Sequence, residues 1–467
     1  MKRFLIAIGL TGVVLIAGCF PERVVWAPNG EYAAVVGGDG LYLCDGEGNL
    51  AGPAEPARNL PDEMVVVAWF PDSQRCLAIV ETEVRTWAEL EQSLSEEQKN
   101  ELVSLANAFR EDILASYQGD LGRMKTVRGM ENDKILSLKI YLRDHPDEKL
   151  VEKLGDRWKE FEDASRSGSA IQVFRVENGR LKAGPVIVES LGTIVTLRIS
   201  PIGKSAAYVQ ISPASKEVTS LYVVPTDGSA GARMVARMAS GYPDWTRDGQ
   251  ALVYLAPLAA HWEDNWAMIG SLVRRRVCDR DGALLPDFSG EQELAGLIPC
   301  AYSKVRCLED GRILFSSAEF HLPATSQDMP EQTTIFSVDP ARRATVARAV
   351  PSEAAASLPS IADIFEVSPD GTRVAIASER GEVSVLTLAT GHVVHVQPDQ
   401  EPGPHDYGLY IRTMPNWRSK DELCFAAPPH TSHGSPDSAE IVLWSEKDGY
   451  RCISKNWPES VRKGFLE

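Results

Sequence analysis

The chain has 467 residues, 44% of them apolar and 24% charged, and a formal net charge of -17. This length accommodates several packed units or one repeat array. The acidic balance excludes a nucleic-acid binder, which needs a basic stripe to neutralise phosphates. The one dense basic run, Arg274-Arg275-Arg276, falls in a predicted strand, where successive side chains alternate between faces.

The chain opens with Lys2 and Arg3, then an apolar run from Phe4 to Ile16 that is short for a membrane span, then Ile16-Ala17-Gly18-Cys19. This pattern resembles a bacterial lipobox. The resemblance implies a signal peptide over 1–18, diacylglycerol on the Cys19 thiol, cleavage before it and acylation of the new amino group, with 19–23 as anchor and tether. An ordinary secretory signal or an uncleaved anchor are the other readings of the same run. Cleavage would remove two positive charges and no negative ones, taking the net charge from -17 to -19. Phe20 stands where an Asp marks inner-membrane retention in some Gram-negative bacteria, so the resemblance implies an envelope protein held in the outer membrane and facing the periplasm.

Two apolar alternating runs flank a Ser-Pro-Asp-Gly tetrapeptide within Phe365–Gly391, and a third follows a Glu-Arg-Gly turn. Proline presets φ and Asp-Gly tolerates φ > 0, so the tetrapeptide is read as a tight reversal between antiparallel strands. Such a meander cannot bury both faces alone, which demands copies. Aligned on the last turn residue they fall at Gly30, Ser73, Gly203, Gly249, Gly311, Gly371 and Asp421. Four residues earlier stand Trp26, Trp69, Ile199, Trp245, Cys307, Val367 and Trp417; four residues later, Ala34, Leu77, Ala207, Val253, Phe315, Ala375 and Phe425. Both columns are apolar throughout, and the tryptophans are expected as core between repeats.

Successive turns are 43, 130, 46, 62, 60 and 50 residues apart, and setting aside the 85 residues Val84–Gly168 brings the second step to 45. Each copy continues with a third strand: Leu41–Cys44, Ile171–Val176, Leu221–Val224, Leu272–Cys278, Thr334–Val338, Val383–Leu386 and Ile441–Trp444. A weaker fourth follows, as at Pro185–Val188, Met234–Met238, Val393–Val396 and Tyr450–Ile453. The expected fold is all-β, a seven-bladed β-propeller over 24–467, with six or eight blades as the alternatives. The turn, its flanking strands and the closing turns Thr226-Asp227-Gly228, Lys447-Asp448-Gly449 and Asn178-Gly179 resemble the WD-repeat-like blades of TolB-type propellers. That resemblance implies a fold shared by periplasmic binding proteins and by the propeller domains of prolyl-oligopeptidase-like enzymes. The chain departs from both, with no α/β domain before the propeller and no hydrolase domain or Gly-x-Ser-x-Gly after it.

In 84–168 the period changes from two to 3.6. Leu102, Leu105, Phe109 and Ile113 share one helical face and Leu150, Leu154, Trp158 and Phe161 another, with a capping box at Ser95 and Gln98 and Pro146 suited to a first turn. The expectation is an α-helical insertion in the second blade. Strands of a blade alternate in direction, so first-to-second and third-to-fourth turns share one face and the remaining connections the other. The first set reads as short throughout. The second holds the long excursions: Val84–Gly168, Pro257–Gly270, Glu319–Gln332, Pro428–Ala439, Ala51–Glu63, Pro286–Cys300, Arg342–Ala362 and Pro398–Tyr410. Long loops on a rigid scaffold are where binding concentrates. The first strand starts on that face, and Phe20–Arg23 reach about 14 Å when extended, so lipid and long loops are expected on the same side.

Searching for chemistry finds no phosphate loop, no HExxH and no Asp-box spacing. The seven cysteines after Cys19 are Cys44, Cys76, Cys278, Cys300, Cys307, Cys424 and Cys452; most sit in apolar runs without CxxC spacing, as small hydrophobes do, and an exported disulfide stays open. His392 and His395 lie on a strand and point to opposite faces. His430 and His433 share a loop that could converge on a metal, and Trp262 and Trp266 beside carboxylates suit sugar stacking, although a solvated loop and plain packing are the commoner fates of such residues. No cofactor, metal or catalytic residue is expected. The expected role is non-enzymatic: a lipid-anchored scaffold binding an envelope protein through the long-loop face. The alternative is a binder of glycan or a small ligand, or a hydrolase or lyase, at the axial mouth.

Overall fold

The computed structural model describes residues 23–37, 39–55, 66–83, 167–190, 193–212, 215–237, 239–257, 269–288, 290–299, 304–318, 333–342, 346–349, 364–377, 383–396, 415–427 and 440–463. Six of the seven aligned turn residues have the left-handed backbone that the alignment requires: Gly30 (φ 70°), Ser73 (56°), Gly203 (79°), Gly249 (67°), Gly311 (86°) and Gly371 (71°). Each closes a reversal by donating its N–H three residues back, as Gly371 does to the Ser368 carbonyl at 2.8 Å. Asp370 stiffens that reversal, with Oδ1 accepting from the Ser368 hydroxyl (2.6 Å) and Oδ2 from the Thr372 hydroxyl (2.8 Å). Asp421 is the exception. There the Ser419 hydroxyl accepts the Asp421 and Glu422 amides instead.

The reversals organise seven four-stranded antiparallel sheets, each built from four consecutive strands. Blade one is β1 (Val24–Trp26), β2 (Tyr32–Gly37), β3 (Gly40–Asp45) and β4 (Leu50–Ala51); blade two is β5 (Val67–Trp69), β6 (Arg75–Glu83), β7 (Ser167–Glu177) and β8 (Arg180–Ser190). Blade three is β9 (Thr193–Ile199), β10 (Ser205–Ser212), β11 (Ser215–Pro225) and β12 (Arg233–Arg237), and blade four β13 (Ser240–Trp245), β14 (Ala251–Pro257), β15 (Ile269–Arg276) and β16 (Gln292–Pro299). Blade five is β17 (Val305–Cys307), β18 (Ile313–Ala318), β19 (Thr333–Val338) and β20 (Val346–Arg348), and blade six β21 (Ile364–Val367), β22 (Arg373–Ala377), β23 (Val383–Thr387) and β24 (Val393–Val396). Blade seven is β25 (Asn416–Trp417), β26 (Leu423–Ala427), β27 (Glu440–Ser445) and β28 (Gly449–Cys452), followed by a short helix α1 (Glu459–Lys463).

The apolar core lies between blades rather than on the axis. Seven buried clusters occur, one for each pair of neighbours, and the last joins blade seven to blade one. That closes the ring at seven. The tryptophan column is the recurrent bolt: Trp69 Nε1 donates to the Val25 carbonyl (2.8 Å), Trp245 Nε1 to Arg198 (3.1 Å) and Trp417 Nε1 to Glu366 (3.0 Å). Each indole thus satisfies its one donor on the innermost strand of the preceding blade while burying its ring.

Among the described residues no strand is shared across the closure. Blade seven instead grips the backbone of blade one with side chains: Asn416 Oδ1 accepts the Trp26 N–H (3.0 Å), Arg418 Nε donates to the Gly30 carbonyl (3.1 Å) and Arg451 Nη1 to that of Gly46 (3.4 Å). Trp457 Nε1 donates to the Gly48 carbonyl at 2.8 Å, and Val461 of α1 is fully buried in the same cluster.

Three sequence expectations change, one of them in blade five, where the fourth strand β20 lies inside the stretch Arg342–Ala362 that reads as an inter-blade connection. The excursion beginning at Val84 is bracketed more tightly than expected, because β6 and β7 pair down to Glu83 opposite Ser167, so Ser167 and Gly168 belong to the strand. The helical insertion itself lies outside the described residues. In blade four the fourth strand is β16, inside the stretch Pro286–Cys300 that reads as an inter-blade connection, and the long excursion is the third-to-fourth turn from Val277 to Glu291. That set of turns is therefore not short throughout. The charged and glycine-interrupted run of β16 hides it, and the excursion folds over blade three, with Arg233 stacked 4.2 Å above Phe288 and Ser205 Oγ donating to the Gly282 carbonyl at 3.3 Å.

Candidate axial site

The residue five before each turn, next to the tryptophan column, sits on an innermost strand; Asp244, Arg306 and Asn416 reach from there to the following blade, and Glu366 reaches back to the preceding one. Around the ring these residues are Val25, Ala68, Arg198, Asp244, Arg306, Glu366 and Asn416. Blades one and two are apolar there, and blades three to six alternate in charge. Asp244 Oδ2 accepts the Cys307 N–H at 2.8 Å. Arg306 forks onto Glu366, Nε to Oε1 at 3.0 Å and Nη2 to Oε2 at 2.8 Å, and its Nη1 donates to the Val305 carbonyl at 2.8 Å.

Lys304 lies two residues before Arg306, hence on the same side of the strand, and donates to the same carboxylate; its side chain is 1% exposed. Tyr242 faces it, with the ammonium 5.8 Å from the ring centre and a backbone bridge between the two residues. Burial alone would raise the Glu366 carboxyl, but the Arg306 and Lys304 charges, the Arg306 hydrogen bonds and the more distant Arg198 outweigh it and hold the group far below the ordinary carboxylate range.

A carboxylate so strongly held as an anion is a poor proton acceptor near neutral pH, where a general base needs a matched pKa. The described cysteines are no better as nucleophiles. Burial pushes the Cys44 and Cys424 thiols up to about 12 and raises Cys76, Cys278 and Cys452 as well, so the thiolate is suppressed. All six described cysteines are unbridged, and five are buried. Among the described residues no group of three His, Cys, Asp or Glu side chains could hold a metal ion. His395 puts Nδ1 3.1 Å from Ser384 Oγ, while His392 donates its backbone N–H to Thr390 Oγ1. Among the described residues, also, no helix is long and apolar enough to cross a membrane.

Cys19, Trp262, Trp266, His430 and His433 lie outside the described residues. The connections that carry the last four leave from the ends of β14 and β26. Sequence reasoning missed Lys304, Arg306 and Glu366. The available signal was the column five before the turn, where charges recur in strands otherwise apolar.

No family model and no curated protein matches the sequence. Among solved structures the chain is similar to an acylaminoacyl peptidase of Pyrococcus horikoshii (14% identity, 62% of this chain and 42% of that one, TM-score 0.39). It is also similar to a TolB-like protein of Agrobacterium tumefaciens (13% identity, 58% and 83%, TM-score 0.35) and to an oligogalacturonate lyase of Vibrio parahaemolyticus (11% identity, 76% and 73%, TM-score 0.40). The chain spans less than half the length of the peptidase. At such identities and scores these likenesses say nothing about activity, and the seven-bladed fold rests on the sheet topology and the seven inter-blade clusters.

Proposed function

We propose that this protein is a lipid-anchored envelope β-propeller that works as a non-enzymatic interaction scaffold, with the long-connection end of its strands as the working surface. The observation that carries the reading is the asymmetry of the strand ends. First-to-second turns are tight hydrogen-bonded reversals, whereas 84–166, 258–268, 319–332 and 428–439 all join second to third strands at the opposite end; the long connection at the near end, Val277–Glu291, is packed against blade three. Function concentrates on long connections held by a rigid frame. The protonation states of Glu366 and the buried thiols, unsuited to proton transfer or nucleophilic attack, also favour binding over catalysis.

The lipid belongs on Cys19 and the helices within 84–166. Because β1 begins at Val24 on the long-connection end, that end faces the membrane or lies against it. In-cell crosslinking of the lipoprotein, compared with a variant in which a short turn joins Glu83 to Ser167, tests the scaffold. A crosslinked partner that disappears with 84–166 supports it, and an unchanged crosslinking pattern overturns the role of that segment.

The polar residues Arg198, Asp244 and Asn416 on innermost strands favour a second reading: a glycan or small ligand taken at the axial mouth, with Trp262, Trp266, His430 and His433 as its candidate contacts, with or without a hydrolase or lyase step. Calorimetric titration with envelope glycan fragments, repeated on Arg198→Ala, separates the two readings.

A further inference from the structure

We infer that the segment Ser454–Lys463 is a releasable clasp, and that the ring opens at the seam between blades seven and one. Three observations meet there. Among the described residues every blade is built from consecutive strands, so no ladder of main-chain hydrogen bonds crosses any blade interface, and blades seven and one, unlike the other six neighbouring pairs, are not consecutive in the chain and so have no segment running directly from one to the other. The innermost strand of blade seven is two residues long, and its turn is the one without left-handed closure. The polar bonds described across the seam run one way, from side chains of blade seven and the clasp (Asn416, Arg418, Arg451 and Trp457) to backbone atoms of blade one.

The clasp is the largest of these holds. Trp457 is 4% exposed and Val461 fully buried, both within the cluster that also holds Val24, Trp26, Cys424 and Ile441. Glu422 organises the charged part, pairing with Arg418 at 3.2 Å and Arg451 at 3.7 Å, the two arginines that reach Gly30 and Gly46. Side-chain holds release one at a time, and here no connecting segment tethers the two blades directly, so the seam is where a local opening meets the least covalent restraint.

The seam carries its own reporters. Cys44 of blade one and Cys424 of blade seven line it at 0% and 1% exposure, whereas Cys76 lies in the cluster between blades one and two and Cys278 in that between blades three and four. Opening at the seam bares the first pair and leaves the second covered.

The test is alkylation of the full folded chain by iodoacetamide, followed cysteine by cysteine by mass spectrometry. The expected result is faster labelling of Cys44 and Cys424 than of Cys76 and Cys278, with Trp457→Ala accelerating only the first pair, by about tenfold or more. Equal labelling of all four, or a Trp457→Ala effect spread evenly over them or absent, overturns the clasp. Should Trp457→Ala not fold, Trp457→Phe and Val461→Ala are followed by hydrogen exchange. Selective loss of protection in β1, β2, β26 and β27 supports the clasp, and uniform loss or none overturns it.

Discussion

The interface between blades five and six and the seam between blades seven and one close the same ring by opposite means. At the first, Lys304 and Arg306 converge on Glu366 on the innermost strands, beside an apolar cluster that includes Leu314, Phe365 and Ile376. At the second, a wide apolar cluster is overlaid by side chains that hydrogen-bond to backbone atoms. A buried ion triad is unforgiving, because losing one member strands the others in low dielectric. A set of backbone-directed holds is graded, because each can be lost alone at the cost of roughly one hydrogen bond. Stiffness and release can thus be allotted to different sectors of one ring.

The sharpest way to break this contrast is Glu366→Ala, which leaves two buried cations facing each other. It should cost about 3–5 kcal/mol in denaturant unfolding, and Lys304→Met with Arg306→Leu added should restore most of that loss. Trp457→Ala should cost slightly less, about 3 kcal/mol, through lost ring burial and one bond.

Acid should distinguish the two regions as well. The folded pKa of Glu366 lies below its ordinary value of 4.5, so its stabilisation is complete above about that pH and is lost as the pH falls further toward the folded value. Chemical denaturation at pH 7 and pH 3 should show this acid loss reduced in Glu366→Gln and unchanged in Trp457→Phe.

Turn substitutions give smaller effects. Gly371→Ala meets open space and only the left-handed strain, about 1 kcal/mol, whereas a Cβ at Gly30 would lie 2.7 Å from the Arg418 carbonyl at the seam. Gly30→Ala should therefore be the worse of the pair in melting temperature. Ser73→Gly should be close to neutral, since relief of its φ of 56° is offset by loss of the hydroxyl that accepts the Asn29 N–H at 3.1 Å.

The repeat was legible because its signals are local. Gly371 and its counterparts mark a backbone conformation that few residues tolerate, and the apolar columns four residues either side follow from the strand period. The fourth strand of blade four was not legible, because Glu293, Gly296 and Pro299 carry no β signature and its pairing with β15 is set by tertiary context. The axial triad was hidden for a different reason. Lys304 and Glu366 are 62 residues apart, and only the closure of neighbouring blades makes them partners.

Glu83 and Ser167 face each other across a ladder, so whatever connects them must bridge about 5 Å. That gap is independent of how many residues fill it. The blade therefore acts as a mounting plate with standard fittings: a fixture of any size attaches there without altering the plate, and the frame and its attachment can diverge at separate rates. The same paired ends make 84–166 the place to exchange one fixture for another while leaving the remaining six blades undisturbed.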